Sequence, residues 1–154
     1  MKIKQVKGLA VIEFTIMSSF FLLLIFSILS IGMLMFSMQA VSEATRTAAR
    51  MAAVCQIGDA GVKDYVSTNS LVSMVGVDNI QIEYLDENSS VLATPTINNV
   101  RFVRARAVGL NYQLMSLLGF LGTNGLITIP SFETTIPSES LGIVTVASES
   151  DTDC

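Results

Sequence analysis

The chain has no histidine and no tryptophan, and only two cysteines and three prolines in 154 residues. Without histidine it lacks the side chain that titrates nearest neutral pH and the commonest metal ligand. Cys55 and Cys154 are too few and too far apart for a zinc site. No nucleophile elbow is present, and Gly119, Gly122 and Gly125 lack the strand-then-helix context of a phosphate loop. Glu133 and Glu139 flank Pro137, but a loop carboxylate pair without histidine or a ligand set reads as solvated surface. Charge is scarce as well, at 14% of residues and a net −4. An acidic balance argues against binding a phosphate backbone, which needs clustered Lys and Arg. The expectation is a protein with no catalytic residues, no cofactor, no metal and no nucleic-acid partner, and hence not an enzyme.

What the chain has instead is apolar surface. It is 51% hydrophobic, with a mean hydropathy of +0.59. The excess lies at one end, since residues 14–38 carry no charge while the remainder reads as ordinary globular sequence. A membrane-spanning helix needs about 20 such residues, and a signal-peptide core only about 7–15. The run therefore predicts a span through the lipid bilayer. Lys2, Lys4 and Lys7 precede it, and the rest of the chain then holds 6 basic against 13 acidic residues. That asymmetry predicts a cytoplasmic N-terminus and a translocated C-terminal part.

The helix is expected to continue beyond the span, because residues 39–54 contain neither Gly nor Pro and are rich in Ala. Gly58 and Gly61 then mark its end. Glu43 and Arg46 stand at i, i+3, the spacing of a helical ion pair. Ala40, Ala44, Ala48 and Ala52 fall at i, i+4 and line one stripe. Such a stripe reflects either simple helix propensity or close packing of the helix on another element.

One residue breaks the apolar pattern. Glu13 stands at the head of the run, where a carboxylate at mid-bilayer would cost roughly 2.5–3.5 kcal/mol, less near an interface. Its surroundings read Lys7-Gly8-Leu9-Ala10-Val11-Ile12-Glu13-Phe14. A basic leader, a Gly, four residues, a Glu, an aromatic and an apolar helix together resemble the processing site of type IV prepilins. With the Ala-rich block Thr47-Ala48-Ala49-Arg50-Met51-Ala52-Ala53, the segment 4–54 is similar to TadE/TadF-like minor pilins (pseudopilins) of the tight-adherence, or Flp, systems. The resemblance implies cleavage by a membrane prepilin peptidase between Gly8 and Leu9. It also implies Glu13 and Phe14 as assembly and register residues, with the new amine of one subunit neutralising Glu13 of another. The implied partners are that peptidase, other pilin subunits and the inner-membrane assembly platform. The implied location is the inner membrane, with the C-terminal part periplasmic, and then a surface filament serving adhesion or secretion.

The predicted organisation is a leader at 1–8, a long helix at 9–54 with its membrane part at about 14–38, and a small extracytoplasmic domain at 55–154. Within that domain the apolar spacing predicts a short helix over 59–75 and strands at 79–86, 100–112 and 126–136, with Pro130 suggesting an edge or bulge. Residues 86–90 read as a turn or loop, and Arg101, out of phase with Arg104 and Arg106, predicts a bulge or twist. A weaker run at 141–147 is a candidate fourth strand. The stretch 114–121 is apolar but too short to span, and reads as a buried loop or as a docking patch. The expected fold is α+β, a small antiparallel meander packed on the outer half of the helix.

Cys55 and Cys154 would both face an oxidising compartment, so they form a candidate disulfide, the alternatives being free thiols or an intersubunit bridge. Closing a loop of about 100 residues is worth roughly 4–5 kcal/mol if unstrained. Two other functional readings compete with a filament subunit. One is a permanently anchored scaffold that never polymerises. The other is a secreted protein cut after Ser42-Glu43-Ala44 by ordinary signal peptidase.

Overall fold

The computed structural model of the chain describes residues 7–114 and 124–143. Helix α1 (Lys7–Val54) is followed by a short helix α2 (Ala60–Thr68) and a single 3-10 turn at Val77–Asn79. The strands among the described residues are β1 (Ile80–Leu85), β2 (Phe102–Ala107), β3 (Asn111–Gln113), β4 (Leu126–Thr128) and β5 (Glu133–Pro137). The fold is α+β. The chain divides into two compact units. One holds α1 up to Met35 with residues 113–114 and 124–127; the other holds 36–112 and 128–143.

In the first unit almost every large side chain of α1 faces outward, including Phe14, Phe20, Phe21, Leu29 and Met33. Three hydroxyls in this stretch are satisfied within the helix. Thr15 donates to the Val11 carbonyl, Ser19 to Thr15 and Ser27 to Leu23, each at 2.8 Å. Back-bonding of this kind removes the cost of placing a hydroxyl in an apolar medium. By length and composition this is one helix able to cross a membrane, with a mean hydropathy of 2.5 in its most apolar window.

The second unit has its own core. β1, β2 and β5 form an antiparallel sheet in the order β1-β2-β5. Its register sets Ile80 opposite Ala107, Ile82 opposite Ala105 and Tyr84 opposite Val103. With period-2 alternation these residues share one face, and that face covers residues 41–53 of α1. Val41, Ala44, Ala48 and Ala49 pack with Ile80, Ala105, Ala107 and Val66 of α2. Ala52, Ala53 and Cys55 pack with Tyr84, Val100, Val103 and Leu141. A helix lined with Ala lies closely on strands that also present Ala, because neither surface carries a long side chain at the contact.

Several sequence expectations need correction. α2 ends at Thr68 rather than near residue 75, because the backbone N–H and the side-chain amide of Asn69 both bond to the Tyr65 carbonyl at 2.9 Å. Asn so placed competes with helix propagation. Gly61 lies inside α2, where its N–H donates to the capping Asp59 carboxylate at 2.7 Å, so it is not a stop signal. The expected long second strand is divided into β2 and β3, and the third into β4 and β5, with Pro130 in the interruption. β3 pairs with β4 as a separate ribbon inserted between β2 and β5, so the sheet is not a simple meander. No bulge occurs at Arg101. It lies just before β2, and its N–H donates to the Leu85 carbonyl at 2.8 Å, extending a regular ladder. Residues 141–143 form a turn rather than a strand. The remainder of that candidate strand, and residues 115–121 of the apolar stretch, lie outside the described residues. The turn at 86–90 is present, with Asp86 Oδ1 accepting from the N–H of Asn88 and of Ser90.

Candidate assembly and processing segment

The predicted processing residues sit in the first turns of α1. Gly8 has open space where a Cβ would lie, so intrachain packing does not require glycine there. Leu9, Glu13 and Phe14 are all exposed, Phe14 at 73%. Glu13 forms no ion pair with a described residue. The structure thus leaves a carboxylate and an aromatic ring outward on a helix surface made of Leu, Ile, Phe and Met. Nothing in the described chain neutralises that charge.

The Ala stripe is placed differently. Ala40, Ala44, Ala48 and Ala52 are all buried in the second unit. Val41, Thr45, Ala49 and Ala53, one position further on, are buried beside them. The buried band is therefore two residues wide, and it belongs to contact within the chain. Thr45 anchors it, donating to the Ser42 carbonyl at 2.8 Å and meeting Thr134 Oγ1 of β5 at 3.3 Å. Glu43 and Arg46 are exposed, and the ion pair expected between them is not among those of the described residues.

The end of α1 is closed by a distant turn. Glu139 and Leu141 donate backbone N–H groups to the Ala53 carbonyl at 3.1 and 3.2 Å, and Gly142 donates to Val54 at 2.7 Å. The Ser140 hydroxyl adds a bond to the Val54 carbonyl at 3.1 Å. Helix C-termini leave carbonyls without intrahelical donors, and here the sheet's own continuation supplies them. Cys55, one residue on, is buried. No free cysteine occurs among the described residues, while its predicted partner Cys154 lies outside them. Tyr84 secures the following turn by accepting from the Gly58 N–H at 3.0 Å. Burial pushes the Tyr84 phenol above its ordinary value of 10.0.

Sequence reasoning missed the ion-pair ladder on the outer sheet face. Glu83 of β1 meets Arg104 at 3.5 Å and Arg106 at 4.0 Å, and Arg106 meets Glu133 of β5 at 3.1 Å. Glu133 is thus a cross-strand partner rather than merely solvated surface. The signal was available in the period-2 spacing of Arg104 and Arg106, but the opposing strands were needed to find the acids. Reasoning also missed Ser30, whose hydroxyl is buried without a hydrogen-bond partner in a stretch of α1 whose large side chains mostly face outward. Among the described residues no group of three or more His, Cys, Asp or Glu could hold a metal ion.

An exposed apolar helix long enough to cross a membrane, an acid near its start and a small sheet covering its later turns are, among the described residues, what would suit membrane anchoring through α1. A sequence model of the TadE-like protein family matches residues 8–50, so this segment is TadE-like. No curated protein and no solved structure matches the chain.

Proposed function

We propose that the protein is a pilin-like structural subunit of a tight-adherence-type pilus system. On this reading prepilin peptidase removes residues 1–8, and the mature chain beginning at Leu9 is assembled into, or primes, a filament. The TadE-like match over residues 8–50 supports association with such a system and a structural rather than enzymatic role. The single observation that carries the assembly reading is the outward-facing apolar surface of α1 with Glu13 and Phe14 at its head.

The physical chemistry is that of a protein waiting in the bilayer. While the helix stands alone, lipid tails cover its Leu, Ile and Phe side chains, with the head on the far side from the basic leader. Cleavage after Gly8 frees an α-amine five residues from Glu13. In a bundle of such helices the amine of one subunit can pair with Glu13 of its neighbour. That pairing removes the cost of an unpartnered carboxylate, roughly 2.5–3.5 kcal/mol at full membrane depth, and it fixes the axial register. The Cys55–Cys154 bridge belongs to the same proposal, tying the C-terminus back to the end of α1; a free Cys154 thiol on non-reducing mass mapping would rule it out. Cleavage after Ala44 by signal peptidase is disfavoured by the uncharged run of residues 14–38, which is longer than the roughly 7–15 residues of a signal-peptide core.

N-terminal sequencing of sheared filaments and of membranes tests the proposal. Mature protein starting at Leu9 in filaments is expected. Glu13→Ala should be cleaved but fail to enter filaments. Full-length protein confined to membranes would instead establish the non-polymerising scaffold.

A further inference from the structure

Within the second unit α1 keeps one face outward, at Glu43, Arg46, Arg50 and Val54. Arg46 and Arg50 are the only charges in residues 44–54. At i, i+4 they lie on the same side of the helix, where two like charges repel. The arginines of the sheet are placed otherwise, since Arg101, Arg104 and Arg106 each meet a glutamate within 4.0 Å. None of the ion pairs among the described residues includes Arg46 or Arg50, and exposed Glu43, one turn earlier, pairs with neither. The head thus keeps two cations side by side with no acid of the described residues paired to them.

A complementary segment lies in the same chain. Glu149, Asp151 and Asp153 alternate with Ser150 and Thr152, and no Lys or Arg occurs between Arg106 and this segment. In an extended chain residues two apart fall on one side, about 6–7 Å from each other. That spacing matches the roughly 5–6 Å between Cβ atoms at i, i+4 on a helix. The chain is also delivered to the right place. Gly142 is fastened to the Val54 carbonyl, at the end of α1, by its 2.7 Å hydrogen bond. From Ile143 to Glu149 an extended chain reaches at most about 20 Å, whereas Val54 to Arg46 is about 12 Å of helix. A tether this short holds the acids near α1 at an effective concentration on the order of millimolar. A second molecule in dilute solution does not match it.

We propose that residues 149–153 of the same chain dock on the face of α1 that carries Arg46 and Arg50, as an electrostatic latch. Arginine suits the task, since its planar guanidinium forks onto a carboxylate. Docking relieves the repulsion between the two arginines and covers the side of α1 that the sheet leaves open. Because both partners sit at the surface, the latch weakens as ionic strength rises. A neighbouring surface that presents acids can displace the segment and take its place on α1. The latch requires neither cleavage after Gly8 nor assembly into a filament.

Zero-length cross-linking tests the latch. Carbodiimide couples an amine to a carboxylate in direct contact and leaves arginine untouched, so Arg50→Lys keeps the charge and adds the reactive group. The full chain, in zwitterionic micelles, is treated as an equal mixture of isotopically light and heavy protein, and the products are mapped by mass spectrometry. Arg104→Lys, opposite Glu83 at 3.5 Å, calibrates the reaction. The expected result is coupling of position 50 to Glu149, Asp151 or Asp153, in light–light and heavy–heavy products only, and its loss in high salt. Mixed light–heavy products overturn the proposal, since a second copy would then hold the site. Coupling at position 104 with none between position 50 and residues 149–153 also overturns it. So does a product whose yield high salt leaves unchanged. Should Arg50→Lys fail to fold, Arg46→Lys is read by the same criteria.

Discussion

Replacing Gly142 by alanine should loosen the closure of α1 and destabilise the head by about 2–4 kcal/mol. Gly142 has φ +87°, and holding an L side chain in the left-handed region costs roughly 1–2 kcal/mol. A Cβ there would lie 2.8 Å from the Gln56 Cα and 3.1 Å from its backbone N. Backbone atoms cannot swing aside as a flexible side chain does, so the turn must move. Movement weakens the 2.7 Å bond from the Gly142 N–H to the Val54 carbonyl, a bond worth about 1 kcal/mol net. The carbonyl is not orphaned, because Ser140 Oγ also donates to it, and this sets the upper end of the range. Gly58 supplies the control. It has a similar φ of +81°, but nothing lies within 4 Å of its would-be Cβ. Gly58→Ala should therefore cost only the conformational part, about 1–2 kcal/mol. Urea unfolding of the full chain in detergent micelles, followed by tyrosine emission, measures both variants. Amide exchange at residues 51–54 should quicken in Gly142→Ala and not in Gly58→Ala. Equal destabilisation by the two variants would refute the reasoning, since the collision with Gln56 would then contribute nothing.

Three further outcomes are expected. Ala48→Leu forces a larger side chain between α1 and the Ala105 and Ala107 strand surface, and should cost about 1–3 kcal/mol by overpacking, read as a lowered urea midpoint. Tyr84→Phe leaves the Gly58 N–H without its acceptor and should cost about 1 kcal/mol at neutral pH. Because the folded phenol titrates above the unfolded one, its contribution is complete below pH 10.0 and fades as the pH rises through the folded value. The alkaline loss of stability, measured by unfolding from neutral to high pH, should therefore be smaller in Tyr84→Phe than in the unmodified protein. Glu83→Gln removes the acid shared by Arg104 and Arg106. With all three side chains partly solvated, the cost should be no more than about 1 kcal/mol, and it should shrink further in high salt.

The comparison of sequence with structure divides along the chain. Residues 7–54 were legible because their signals are local. An uncharged run too long for a signal core, Ala at helical spacing and the absence of Gly and Pro after residue 32 all act through neighbours three or four positions away. β1 was legible for the same reason, since Ile80, Ile82 and Tyr84 alternate with polar residues. The later strands were misread where a break depends on partners far off in sequence. In 100–112 Gly109, at φ +68°, is the local sign of a break after Ala107, but it does not announce the ribbon with Leu126–Thr128 that forms before β5 returns beside β2. Likewise helix α2 stops at Thr68 with a side-chain bond from Asn69, although the apolar periodicity runs on beyond it.

By itself the sequence determined the long apolar helix and its TadE-like segment, residues 8–50. A long run of apolar side chains must be kept from water wherever it goes, and the TadE-like match lies in residues 8–50, which need no help from the sheet to be legible. Only the tertiary structure decided the role of the Ala band. Spacing alone allowed propensity or packing, and the choice needed Ala105, Ala107 and Thr134 brought back from some sixty to ninety positions away. It alone also closed the helix end with residues 139–142 and set Leu71 beside Ala40. Side-chain type sets which surfaces must leave water; chain topology sets which surfaces meet. The first is written residue by residue, while the second exists only once the strands have paired.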